Sequence, residues 1–138
     1  MISMTLVITA IALQTFITPV GYSTFDMNGT TYGQWQVPAT DVGWHNTSAL
    51  PGEVGNTVFN GHSTTAFSNL RDVTLGDEVL VGDDLYHVQQ VFLVKDKGVP
   101  LEQRIANASR ILPTEDRRLT MITCAGWNDE WRLIIVAR

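Results

Sequence analysis

The sequence predicts an all-β protein, a small barrel or sandwich, and three observations predict it. Short runs rich in Val, Ile, Thr and aromatic residues recur at close spacing, bounded by Gly, Pro, Asn or Asp. Helix-forming stretches are reduced to scraps between them. No repeat of the solenoid or propeller kind and no low-complexity tract breaks the pattern. The 138 residues suit one domain, expected over 1–138. A chain of that size buries about two-thirds of the surface it exposes when unfolded, enough for a core without covalent staples. With 44% hydrophobic and 17% charged residues, it is globular and not disordered.

The elements follow in order. Residues 4–20, MTLVITAIALQTFITPV, look at first like a signal peptide or a membrane span. They lack the basic flank and small-residue cleavage site of a signal peptide. Thr5, Thr9, Gln14, Thr15, Thr18 and Pro19 are poor company for a lipid-buried helix. The segment therefore reads as one or two buried strands, holding Val7–Ile8 and Phe16–Ile17, and any membrane anchor or export signal is expected outside this chain. Asn28–Gly29 is a turn signal leading into Thr31–Val37. Pro38 to Pro51 reads as a long connection with at most one helical turn. Asn56–Asn60 is a short strand ending at Gly61, and Ala66–Leu70 suits a helical turn.

Glu78–Val81 and Leu85–Val94 flank Gly82–Asp83–Asp84, a hairpin pattern. The second arm alternates with period two, both faces being fairly apolar, as barrel strands can be. Lys95–Pro113 is the longest irregular stretch, with a short helix expected at Leu101–Ser109. Leu119–Thr123 and Trp131–Ala137 form the last two strands, joined by Ala125–Glu130.

Charge and cysteine content exclude several functions. Nine basic against fourteen acidic residues give −5 with no basic run, so nucleic acid is not an expected partner. A single cysteine, Cys124, excludes an internal disulfide framework and a cysteine-rich zinc site. Glu53, Asp77, Glu78, Asp83, Asp84 and Asp96 are scattered without the spacing of a calcium loop, and read as solvated surface. No metal or cofactor is expected.

The remaining chemistry gathers around Cys124. Read alone, a lone cysteine is a small hydrophobe. This one ends an apolar strand where the chain turns into a Gly/Asn/Asp loop, the kind of place where reactive groups are displayed. Arg132 opens the next strand, and a hairpin pairing would bring its guanidinium to the same end of the sheet. There it would favour a thiolate and donate to a developing oxyanion. A cysteine nucleophile also needs an acid–base partner. Of the three histidines, His45 lies in a polar connection and His87 mid-strand. His62 follows Gly61 at a strand end that opens into a loop, and a glycine there allows close backbone packing.

At this point the residues resemble a family. GNTVFNGH, then RLTMITC, then WRLIIVAR are similar to the sortases, surface cysteine transpeptidases of bacteria. The stretches VGWHNTSALPGEVGNTV and LGDEV, Leu112–Thr114, and the opening MTLVITAIALQTFITPVG also read like that family, so the resemblance covers nearly the whole chain. Met121 stands where the family usually has leucine, a nearly volume-conserving change.

The resemblance implies a small closed β-barrel of about eight strands with one or two short helices. It implies His62, Cys124 and Arg132 as catalytic residues and Thr123 as a substrate-binding residue that also orders the nucleophile strand. The implied reaction cuts a C-terminal sorting signal of the Leu-Pro-x-Thr-Gly type between Thr and Gly through a thioacyl-enzyme. The acyl group then passes to an amine of a cell-wall precursor or a pilin lysine. Implied partners are surface-protein or pilin substrates, at an extracytoplasmic, cell-surface location. Lys95–Pro113 is expected to wall the groove. A hydrolytic thiol peptidase of the same fold, and an inactive barrel that only binds, remain as alternatives.

Overall fold

The computed structural model describes residues 4–138. Ten strands are present among them: β1 (Met4–Ile8), β2 (Leu13–Val20), β3 (Tyr22–Met27), β4 (Thr30–Trp35), β5 (Val42–His45), β6 (Gly55–Asn60), β7 (Glu78–Val81), β8 (Asp84–Lys95), β9 (Arg117–Ala125) and β10 (Trp131–Ala137). One α-helix, α1 (Leu101–Ala108), lies between β8 and β9. Eight strands close a barrel in the order β1-β2-β5-β6-β9-β10-β8-β7, and β7 pairs back onto β1 through Leu6↔Val81 and Val7↔Leu80. The barrel is mixed, with β2/β5 and β6/β9 parallel and the other pairs antiparallel. The closed barrel selects between the two architectures that the strand pattern left open.

Alternation along the strands fills the interior. Leu6, Ile8, Phe59, Val79, Val81, Tyr86, Val88, Leu119, Met121, Leu133 and Ile135 form one buried cluster. Phe67, Leu70 and Val73, from the turns after β6, join that cluster. The expected opening strands are β1 and β2, joined by a 3-10 turn at Thr9–Ile11. Leu6 and Ile8 are fully buried, as a barrel strand requires of its inner row.

Two segments differ from the sequence reading. Pro38–Pro51 contains a strand, β5, because Val42–His45 pairs parallel with Ile17–Val20 of β2. Four residues, one of them glycine, carry too little periodicity to announce a strand whose pairing is long-range. The Asn28–Gly29 turn closes a complete hairpin, β3 with β4, which forms a separate two-stranded sheet inserted between β2 and β5. Phe25 stacks on Tyr32 and Tyr22 meets Trp35 edge-on across the hairpin. Such cross-strand aromatic pairs stabilise a ribbon that has no third strand.

The outer face of β6 carries two buried asparagines, Asn56 and Asn60, each clamping a covering segment. Asn56 Nδ2 donates to the carbonyls of Arg110 (2.9 Å) and Leu112 (3.0 Å), and its Oδ1 accepts from the Thr120 hydroxyl. This holds the stretch after α1 against the barrel. Asn60 Nδ2 donates to the Gln36 carbonyl (3.0 Å) and to His45 Nε2 (3.0 Å), holding the strap that leads from β4 toward β5. At the start of β9, hydrogen bonds from Arg118, aided by Thr114 and the charge of Arg138, hold the Asp116 carboxyl down at about 2.

His45 is buried and stacked on the Trp35 ring, centroids 4.0 Å apart. Because its Nε2 accepts from Asn60, its proton sits on Nδ1. Burial lowers its pKa from 6.5 to about 4. The unfolded chain thus takes up a proton below pH 6.5 that the folded chain refuses until about pH 4. The stability tied to neutral His45 is complete above the unfolded pKa and is lost as pH falls between those values, by up to about 3 kcal/mol. Urea midpoints measured from pH 7 to pH 4 are expected to fall steeply in the native chain. In His45→Gln, which keeps an acceptor for Asn60, they are expected to fall less.

Candidate active site

Cys124 and Arg132 lie on the adjacent strands β9 and β10, and His62 lies two residues past the end of β6, the other neighbour of β9. β6 runs parallel to β9 with Asn60 opposite Ile122. The pairing continues one residue further: the Gly61 N–H donates to the Ile122 carbonyl (3.3 Å), and the Thr123 hydroxyl donates to the Gly61 carbonyl (2.8 Å). The next residue on each chain is His62 and Cys124. On the other side β9 is antiparallel to β10, with Cys124 directly opposite Arg132. Cys124 and Arg132 thus start from directly paired positions in one row across the sheet, and the chain reaches His62 just past the end of β6 beside them.

Alternation puts that row on the outer face. Leu119, Met121 and Ala125 of β9 and Leu133 and Ile135 of β10 pack toward the core, so Cys124 and Arg132 face out between them. Cys124 is a free, half-buried cysteine, Arg132 is half-buried, and His62 is exposed. A half-buried thiol with an exposed imidazole just beyond the end of the adjoining strand suits a group that must meet a substrate and exchange protons with it.

Local sequence explains the placement. The β9–β10 turn contains Gly126, Asn128 and Asp129, all with positive φ (74°, 57° and 53°). Glycine, asparagine and aspartate tolerate that region best, so this short turn is encoded directly and sets Cys124 against Arg132. At the other strand end, a Cβ on Gly61 would sit 2.7 Å from Phe67 Cδ2. The His62 carbonyl accepts from the N–H groups of Thr65 (3.2 Å) and Phe67 (3.0 Å), folding the chain back under the histidine. The expectation that Gly61 permits close packing is met by a specific ring.

Thr123 is buried, on the inner row of β9, with its hydroxyl engaged by Gly61. This hydrogen bond ties β9 to the chain just past the end of β6, with the Thr123 side chain on the inner row. The other two histidines lie apart from the row: His45 stacks on Trp35, and His87 sits opposite Glu78 on β8. Asn56 and Asn60, which fix the segments flanking the row, went unnoticed in the sequence. Their signal is present in NTVFN, where polar residues four apart share one face of an otherwise apolar strand. The segment after β8 covers that face, with Arg110 over the Phe92 ring (4.3 Å). A cleft of about 460 Å³ beside α1 is lined by Lys95, Val99, Pro100, Glu102 and Gln103 and includes none of the row.

The fold has known counterparts. Sortase A of Corynebacterium diphtheriae (a lid mutant) aligns over 99% of this chain and 69% of its own, with TM-score 0.67 and 22% identity. A Clostridium perfringens sortase D5 transpeptidase aligns over 99% and 77%, with TM-score 0.70 and 19% identity. Sortase A of Listeria monocytogenes aligns over 98% and 84%, with TM-score 0.70 and 17% identity. No curated protein matches by sequence. A closed eight-stranded mixed barrel with a free cysteine at a strand end is the architecture of a cysteine transpeptidase. Residues 6–138 match the Sortase domain, and the chain belongs to the sortase family.

Gly61→Ala is expected to force the Phe67 ring and the His62 turn apart, at a cost of about 1–3 kcal/mol for overpacking. A thermal melt together with a peptide-cleavage assay checks this. Activity lost beyond what the fraction folded explains identifies displacement of the histidine, and an unchanged melt refutes the packing argument.

Proposed function

We propose that this sortase cleaves the C-terminal sorting signal of a surface protein or pilin, of the Leu-Pro-x-Thr-Gly type, between Thr and Gly. The acyl group then passes to an amine on a cell-wall precursor or a pilin lysine. The observation that carries this reading is the register that sets Cys124 opposite Arg132 on the outer face, with the end of β6 that leads into His62 running beside β9.

In the proposed reaction Cys124 Sγ attacks the threonine carbonyl carbon. The carbonyl oxygen takes up negative charge, which the Arg132 guanidinium stabilises by charge and hydrogen bonding. As the intermediate collapses, the C–N bond to glycine breaks and His62 protonates the departing amine. That leaves a thioester on Cys124. His62 then takes a proton from the incoming amine, whose nitrogen attacks the thioester carbon and expels the thiolate. In this reading the sorting signal would lie on the outer face, between the strap held by Asn60 and the segment after α1 held by Asn56. Substrates and acceptors of this kind meet at the cell surface, outside the cytoplasm, and that is where the enzyme would act. No helix among the described residues is long and apolar enough to cross a membrane.

Incubation with a library of sorting-signal peptides, followed by mass spectrometry, tests the proposal. The expected result is an acyl adduct on Cys124 that is absent in Cys124→Ala. His62→Ala is expected to lower kcat/KM by at least about 100-fold, the usual worth of general acid–base catalysis. Arg132→Lys is expected to be strongly impaired, because lysine lacks the planar fork. Added triglycine should appear in a ligated product. Hydrolysed peptide alone would point to a thiol peptidase, and no adduct with any peptide would point to an inactive binding barrel.

A further inference from the structure

Asp96 stands out among the acidic residues because it is paired with Arg132. It follows Lys95, the last residue of β8, where β8 runs beside β10 with Lys95 opposite Trp131 and Val94 opposite Arg132. Its backbone N–H donates to the Glu130 carbonyl (2.8 Å), as does that of Lys97 (3.1 Å), clipping this segment to the β9–β10 turn. From there Asp96 Oδ2 lies 3.5 Å from Arg132 Nη2, with both side chains largely shielded from solvent. Arg132 Nη1 donates to the carbonyls of Asp129 (2.8 Å) and Trp131 (3.1 Å).

An arginine side chain has several rotatable bonds and wanders unless held, whereas a guanidinium that stabilises a developing oxyanion must be in place beforehand. Here two backbone carbonyls hold one edge of the fork and one carboxylate holds another. Of the five N–H donors, the two on Nη1 are engaged by carbonyls, while Nη2 is ion-paired with Asp96 and, with Nε–H, keeps its hydrogen bonds for a substrate carbonyl. The carbonyls belong to Arg132's own turn and hold Nη1 alone. Asp96 is the anchor that comes from a different segment, the one leading into α1.

We propose that Asp96 is a positioning residue for Arg132, fixing the guanidinium on the outer face beside Cys124 before substrate arrives. The inference rests on the proposed role of Arg132 in the transpeptidation. Asp96 need not touch substrate. It acts by restricting where the arginine can be, and it links that position to the wall of the groove.

The test is a double-mutant cycle in the full chain, using peptide cleavage and a thermal melt for each variant. Asp96→Ala is expected to lower kcat by about tenfold while changing KM less than about threefold, since the loss falls on the transition state. Asp96→Asn, which keeps the shape and a hydrogen-bond acceptor, is expected to recover part of that loss, and it carries the test if the alanine variant melts early. In an Arg132→Lys background the Asp96 substitutions are expected to add little, because two residues acting as one unit are not additive. Full additivity, an unchanged kcat or a raised kcat in the Asp96 variants would overturn the proposal while leaving the reading of the site intact. An Arg132→Lys variant with native activity would remove both.

Discussion

The pairing of β9 with its two neighbours, β6 in parallel and β10 antiparallel, is the constraint on which the rest of the molecule depends. Side chains alternate along a strand, so a slip of one residue would turn Cys124 into the barrel and bring Ala125 out. The register is therefore held from several sides. Leu119 and Met121 are fully buried on the inner row, and a slip of one residue would turn both outward. The left-handed turn through Gly126, Asn128 and Asp129 sets one edge, and the Thr123–Gly61 hydrogen bond sets the other. The packing that closes the barrel thus also decides that Cys124 faces out, directly opposite Arg132.

Polar groups do most of the work on the outer face, where a barrel has no second layer to pack against it. Asn56 and Asn60 stand two alternations apart on β6 and reach in different directions, one to the segment after α1 and one to the strap before β5. Each satisfies backbone carbonyls that the covering segment would otherwise bury unpaired. The same economy holds His45, which stays neutral because burial disfavours its charged form, and so remains an acceptor for Asn60. The inserted β3–β4 hairpin is joined to this cluster through Trp35, which stacks on His45.

Charge is local in this acidic protein. The net −5 describes the whole surface, yet Arg132 is held by a single carboxylate and two carbonyls, and Asp116 is embraced by Arg118 and Arg138 where β9 begins. Composition makes Asp96 one solvated acid among many. Its position one residue beyond β8, beside the strand that carries Arg132, makes it a neighbour of the site.

The barrel strands with clear alternation, the β7–β8 hairpin, the helix near Leu101 and the strand ends at Gly61 and Cys124 were all legible in the sequence, because each depends on a short window of residues. The three groups of the proposed chemistry were also named from the sequence, as a thiol, an imidazole after glycine and a strand-opening arginine. What only the tertiary structure decided is everything that depends on a distant partner. That includes β5, whose four residues become a strand by lying along β2, the inward face of Thr123, the two asparagine clamps and the approach of Asp96 to Arg132. The local code fixes where a strand stops and turns. Which strand lies beside it is settled by closing a single hydrophobic interior, and no window of sequence contains that information.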